Sequence, residues 1–226
     1  MMIKKTKRKK KQQARQTNWQ LIAGIVVVGV LALFGLLALS LQEPDNLTLN
    51  DYCQRNPTNC IVKGAANAPV TIIEVSDFGC PHCRDFHQQT WPSLATQYID
   101  TGQVRWLSLP YALRTETMAA ANAAMCAEEQ DGYFTLGQAL FAQPDQLASL
   151  TKMGFLRAAT AVGLDTAVFQ QCLDEGHYTL TVLDNMAAAQ QAGVSATPTF
   201  FINGRKLEGA YPFSVFQQQI VAQLGS

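Results

Sequence analysis

The sequence predicts an α/β domain with an inserted helical block, preceded by one N-terminal transmembrane helix. Three observations predict it. Residues Leu21–Leu39 form nineteen uninterrupted apolar positions. Two β-rich runs, Val70–Val75 and Val104–Leu109, bracket a segment of helix-compatible composition, the pattern of a parallel βαβ unit. A stretch rich in Ala, Gln, Leu and Met then occupies about 115–192, ahead of a short apolar run, Thr199–Ile202, and an Asn203-Gly204 turn.

The 226 residues include 17 Lys and Arg against 17 Asp and Glu. That balance hides a split, because residues 1–18 carry eight of the basic residues and no acid. The remainder is net acidic. A uniformly basic nucleic-acid binder is thereby excluded, since a phosphate backbone is bound by exchanging its counterions for Lys and Arg, and no nucleic-acid partner is expected. About twenty apolar residues cross a bilayer core at 1.5 Å each, so residues 19–41 read as a lipid-embedded anchor with Trp19 at its interface. The basic cluster before it places residues 1–18 as a cytoplasmic tail and everything after the span outside. Ala38 and Ser40 form a small-x-small pair resembling a signal cleavage site, which leaves a cleaved, exported form as the alternative. Either way the body is exported, where disulfides persist.

Residues 42–61 are polar and turn-rich and read as an extracytoplasmic tether. Cys53 and Cys60 lie in it at a spacing compatible with a small loop disulfide. Residues 62–226 are enough for one domain with a real core. Val70–Val75 is apolar on both faces, as a buried parallel strand should be, and Ser76, Asp77, Phe78 and Gly79 cut it short. Pro81–Asp100 reads as helix, divided near Pro92 and ended by Gly102, after which Val104–Leu109 is the second strand. Breaks at Gly132, near Pro144, at Gly163 and at Gly176 suggest three to five helices between 115 and 192. Thr199–Ile202 and Lys206–Leu207 form a hairpin through Asn203-Gly204, and Pro212–Leu224 is a last amphipathic helix.

Chemistry concentrates in Cys80-Pro81-His82-Cys83, where a strand has ended and a helix begins. Unpaired N–H groups and the dipole at a helix N-terminus favour a thiolate over a thiol. Cys80 is placed to be the exposed nucleophile, and Cys83, one turn further in, to resolve a mixed disulfide. Pro81 has no N–H to leave unsatisfied in the first turn, and a protonated His82 would add positive charge beside the thiolate. The same CxxC spacing serves half a zinc site, so an anchored metal-binding module is the competing reading. Zinc needs a second ligand pair. No second CxxC exists, and the only other histidines are His87 and His177; no metal or cofactor is expected.

Ala196-Thr197-Pro198-Thr199-Phe200-Phe201-Ile202 places a Thr-Pro directly before an apolar strand. Together with CPHC on a helix, the inserted helical block and the Asn-Gly turn, this resembles the DsbA-like branch of the thioredoxin superfamily, and more closely its membrane-anchored bacterial members, over residues 62–224. The resemblance implies a thioredoxin-like fold and a thiol-disulfide oxidoreductase in the bacterial cell membrane. Its substrates would be thiols of exported proteins, and its reoxidant a quinone-linked membrane oxidase. A disulfide reductase or isomerase of the same fold is the alternative. The resemblance further implies a cis Pro198 opposite the active-site helix and a Thr197 that offers backbone hydrogen bonds to an extended substrate. It implies that Glu74 is a buried acid relaying the proton of Cys83, the alternative being a carboxylate that reaches solvent. Finally, it implies a second disulfide, Cys126 to Cys172, stapling the insert.

Overall fold

The computed structural model describes residues 25–33, 48–143 and 145–225. The chain divides into two compact units, Met1–Asn46 and Leu47–Ser226. In the first, residues 25–33 are helical (α1) with exposed apolar side chains. The basic tail, the rest of the expected span and the Ala38–Ser40 pair lie outside the described residues. Among the described residues no helix is long and apolar enough to cross a membrane.

The second unit holds α2 (Leu49–Arg55), β1 (Ile61–Lys63), β2 (Val70–Ser76), α3 (Pro81–Gln89), α4 (Trp91–Leu94) and β3 (Val104–Pro110). The helical block follows: α5 (Met118–Glu128), α6 (Tyr133–Phe141), α7 (Gln146–Ser149), α8 (Lys152–Ala161), α9 (Thr166–Glu175) and α10 (Thr179–Gln191). The chain closes with β4 (Thr199–Ile202), β5 (Arg205–Glu208) and α11 (Phe213–Leu224). The five strands are ordered β1-β3-β2-β4-β5. β2 and β3 are parallel and the other neighbours antiparallel.

Strand alternation sorts the core. Val70 and Ile72 of β2 join Val104 and Trp106 of β3 in one cluster with Phe86 of α3, Leu94 of α4 and Phe216 of α11. Ile73 and Val75 join Leu107 and Leu109 in another, with Leu49 and Tyr52 of α2 and Ala189 of α10. Both faces of β2 are therefore covered, which is why its sequence shows no polar alternation. A third cluster fills the insert, where alanines let α5 pack closely against Leu136, Phe155 and Phe169, and it also takes in Phe78 and Cys83.

Several elements differ from expectation. The stretch read as a tether over 42–61 is folded along its described part: Thr48 and Asp51 form a capping box that starts α2, and β1 pairs antiparallel with β3. Three residues are too few for a strand period to register. The insert holds six α-helices rather than three to five, because α7 is a single turn of four residues. The helix expected over 81–100 is divided near Pro92 as the sequence predicts: the break falls at Thr90, and Pro92 sits in the first turn of α4, where its missing N–H costs no hydrogen bond. The Asn203-Gly204 turn has positive φ at both positions, 45° and 82°, as its hairpin requires.

Candidate active site

β2 ends at Ser76, and Asp77, Phe78 and Gly79 turn the chain into α3. Cys80 is the N-cap of that helix, extended at φ −85° and ψ 123°, with Pro81 in the first turn. Its N–H donates to the Asp77 carbonyl at 3.0 Å, and its own carbonyl accepts from Arg84 N–H at 3.1 Å. Cys80 is partly exposed and Cys83 fully buried; both are free thiols. His82 is exposed.

β4 runs antiparallel to β2 with Thr199 opposite Val75. The residues before Thr199 must therefore pass beside the turn that leads to Cys80. The Thr197–Pro198 bond is cis, and the Cys80 thiol donates to the Thr197 carbonyl at 3.3 Å across 117 residues of sequence.

The two thiols are driven in opposite directions. Cys80 is lowered to about 5, chiefly because the Cys83 thiol donates to it. Burial opposes this, while Thr197 and the backbone N–H groups of Cys83 and His82 reinforce it. Cys83 is pushed well above the usual thiol range, first by burial, then by donating to and lying beside Cys80. Ser76 and the Asp77 backbone pull it weakly the other way. Two hydroxyls flank this pair. Ser76 Oγ and Thr197 Oγ1 are buried without a well-formed hydrogen bond, so each is free to donate when its neighbouring sulfur becomes an anion.

A layer of polar contacts holds the turn. The Asp77 carboxylate accepts from Gly79 N–H at 2.6 Å, Leu113 N–H at 2.6 Å and the Thr117 hydroxyl at 2.7 Å. Gln146 of α7 donates its amide to the carbonyls of Phe78 and, at 3.3 Å, Cys80. Beneath α3, Glu74 is buried with its Oε1 2.7 Å from His87 Nε2, and its Oε2 accepts from Ser108 Oγ at 3.3 Å. Trp106 Nε1 donates to Ser108 Oγ at 3.2 Å, and Gln138 Nε2 lies 2.9 Å from His87 Nδ1.

A dithiol at a strand-to-helix turn, facing a cis-proline from another strand, is the geometry of a thiol-exchange site. A family model described as thioredoxin matches residues 56–222. The chain belongs to the thioredoxin family. Among solved structures, alpha-DsbA1 of Wolbachia pipientis superposes with a TM-score of 0.65 at 27% identity, covering 74% of this chain and 92% of that one. Disulfide bond formation protein D of Bacillus subtilis is 25% identical over 72% of this chain and 76% of its own. The Na(+)/H(+) antiporter NhaA 3 of Salinispora tropica is 31% identical over 76% of this chain. The chain spans 26% of that antiporter's length.

Of the residues singled out in this thioredoxin-family chain, Cys80, Pro81, Cys83, Thr197 and Pro198 come together at one turn, with His82 beside them on the outer surface. Cys53 pairs with Cys60 and Cys126 with Cys172. Glu74 is buried at 1% exposure rather than reaching solvent; its hydrogen-bond partners are His87 and Ser108. Ser76, Asp77, His87, Thr117 and Gln146 were not legible as site residues. Asp77, a carboxylate closing an apolar strand, was the one with a signal. Gln146 is 66 residues from Cys80 and had none.

Proposed function

We propose that this protein is a membrane-anchored, extracytoplasmic thiol-disulfide oxidoreductase that introduces disulfides into exported proteins through Cys80 and Cys83. The observation that carries this reading is the arrangement of the pair: a partly exposed Cys80 thiol at the N-terminus of α3, 3.3 Å from the Thr197 carbonyl, with Cys83 buried beneath it, which lowers Cys80 to about 5 and pushes Cys83 up. A stabilised Cys80 thiolate is a good leaving group and stabilises the reduced enzyme, which makes the disulfide form an oxidant. A substrate thiolate attacks Cys80, forming a mixed disulfide and releasing Cys83. A second substrate thiolate then attacks the substrate sulfur, and Cys80 leaves as thiolate. The substrate has lost two electrons and gained a disulfide; the enzyme is a dithiol. In this reading Thr197 holds an extended substrate segment against Cys80 by its backbone, and Glu74 exchanges the proton of Cys83.

The apolar run from Leu21, with its basic flank, supports a single-pass anchor in a bacterial cell membrane, N-terminus inside, embedded in lipid. A quinone-linked membrane oxidase is the proposed reoxidant, because a dithiol enzyme outside the cytoplasm needs an electron acceptor. The test is the equilibrium of the full chain in graded glutathione buffers, reading the Cys80–Cys83 disulfide by alkylation and mass, with Cys80→Ser as control. A potential well above about −180 mV supports the oxidase. A value near or below about −250 mV makes the protein a reductase.

A further inference from the structure

The insert reaches the active-site turn through α7, one turn of four residues, Gln146–Ser149. An isolated turn of that length has no stability of its own in water. Two consecutive side chains tie it to the turn between β2 and α3. Leu147 is half exposed and packs over Gly79, its Cδ2 standing 3.0 Å from where a Cβ on that glycine would lie. Gln146 is buried, and its Nε2 donates to two carbonyls, those of Phe78 and, at 3.3 Å, Cys80. Both partners only accept, so the amide nitrogen must face them, and its two N–H donors match them one to one.

Those carbonyls belong to the nucleophile and to the residue two before it, and the peptides between them are held in turn. The Phe78–Gly79 peptide has its carbonyl on Gln146 and its N–H on the Asp77 carboxylate at 2.6 Å. Cys80 N–H donates to the Asp77 carbonyl at 3.0 Å, and the Cys80 carbonyl takes Arg84 N–H at 3.1 Å as well as Gln146. A planar peptide bonded at both ends cannot swing about the φ and ψ beside it. Cys80 is thereby kept in its extended N-cap conformation, φ −85° and ψ 123°, the geometry that brings a side chain within reach of the first N–H groups of a helix.

We propose that Gln146 is a positioning residue for thiol exchange, its amide bridging the Phe78 and Cys80 carbonyls so that the Cys80 sulfur stays aimed at the N-terminal N–H groups of α3. The inference rests on the thiol-exchange reading above and gives the insert a direct part in it. Gln146 moves no proton and no electron; it acts through the Cys80 backbone. In the disulfide form the Cys80 sulfur is bonded to Cys83 and carries no charge, so the aim matters to the dithiol alone. A residue that merely supported the fold would stabilise both forms alike and leave the exchange equilibrium where it was.

Gln146→Met keeps the length of the side chain and removes both donors. In the full chain, the pH midpoint of Cys80 alkylation is expected to rise by about one unit from about 5, and the glutathione equilibrium at pH 7 to shift about tenfold toward the Cys80–Cys83 disulfide. The shift should shrink below about twofold at about pH 4.5, where Cys80 is mostly protonated in both chains. Leu147→Ala loosens the packing of α7 without touching the amide and should leave midpoint and equilibrium at wild-type values. Gln146→Asn, one methylene shorter, reaches at most one of the two carbonyls; it should shift the equilibrium about threefold, the worth of one weak hydrogen bond, and decides the case should Gln146→Met not fold. Wild-type values in Gln146→Met or, failing that, in Gln146→Asn overturn the assignment. So does an equal shift in Leu147→Ala, or a Gln146→Met shift undiminished at the lower pH. A wild-type chain that forms no mixed disulfide with glutathione instead defeats the thiol-exchange reading.

Discussion

Cys80 and Cys83 are the same residue type three positions apart, yet one thiol is acidic and the other is not. The difference is donors against burial. Cys80 sits at the mouth of α3, where thiol, hydroxyl and backbone donors converge; Cys83 is one turn inside and has lost water on every side. Alkylation of the reduced protein is therefore expected to modify Cys80 alone, with a midpoint at about 5. Thr197→Val removes a donor to the anion and should raise that midpoint by about one unit, read from the thiolate absorbance. The sign of the coupling to folding follows. A thiol at about 5 in the fold and about 8.5 in the unfolded chain stabilises the reduced protein fully only above the unfolded value, and loses that effect as pH falls through the folded one. Cys83 works the other way at higher pH, since the unfolded thiol ionises first. The melting-temperature advantage of the reduced over the oxidised form should peak near pH 8 and vanish toward pH 5; a flat difference across that range would contradict the assignment.

The turn between β2 and α3 is the element that aims the site, and it is built with little slack. A Cβ on Gly79 would stand 2.3 Å from Thr117 Cγ2 and 3.0 Å from Leu147 Cδ2. Thr117 cannot retreat, because it is buried and its hydroxyl is bonded to Asp77. Gly79→Ala is thus expected to destabilise by about 1–3 kcal/mol through overpacking, measured by urea unfolding, and to slow exchange by displacing Cys80. The two chemical elements of this region are legible in the sequence alone: β2 as a run apolar on both faces, and α3 as a helix opening on CPHC. The Asp77 and Gln146 contacts are not, because they are made to residues 36 to 68 positions away, and no local pattern records which distant loop returns to a turn.

At the scale of the molecule, the inserted helices contribute the low-dielectric environment. Cys83 shares its apolar cluster with α5, α6, α8 and α9, so the insert supplies the burial that separates the two thiols. The Cys126–Cys172 disulfide ties α5 to α9 across 46 residues. Replacing both cysteines by Ala should cost about 4 kcal/mol on the chain-entropy estimate, against about 2.5 kcal/mol for Cys53 and Cys60. The first pair should also move Cys80 reactivity more than the second, since only the first braces the cluster around Cys83. For the proposed anchor, the full chain is expected to stay with membranes through alkaline carbonate, and protease added to spheroplasts should remove the domain. Recovery of the chain in the carbonate supernatant would refute it.

By itself the sequence determined the βαβ, helix block and ββα order and the CPHC pair at a helix start, because strand periodicity, helix-start chemistry and turn residues are all local signals; that Pro198 faces the pair was implied by the family resemblance alone. Only the tertiary structure decided that residues 49–63 belong to the domain, that Glu74 is answered by His87, and that hydroxyls from Ser76 and Thr197 flank the two sulfurs. Those pairings depend on how far a strand and a helix advance per residue and on which strand returns antiparallel. Contacts of that kind are set when the layers pack, and they leave no periodic mark along the chain.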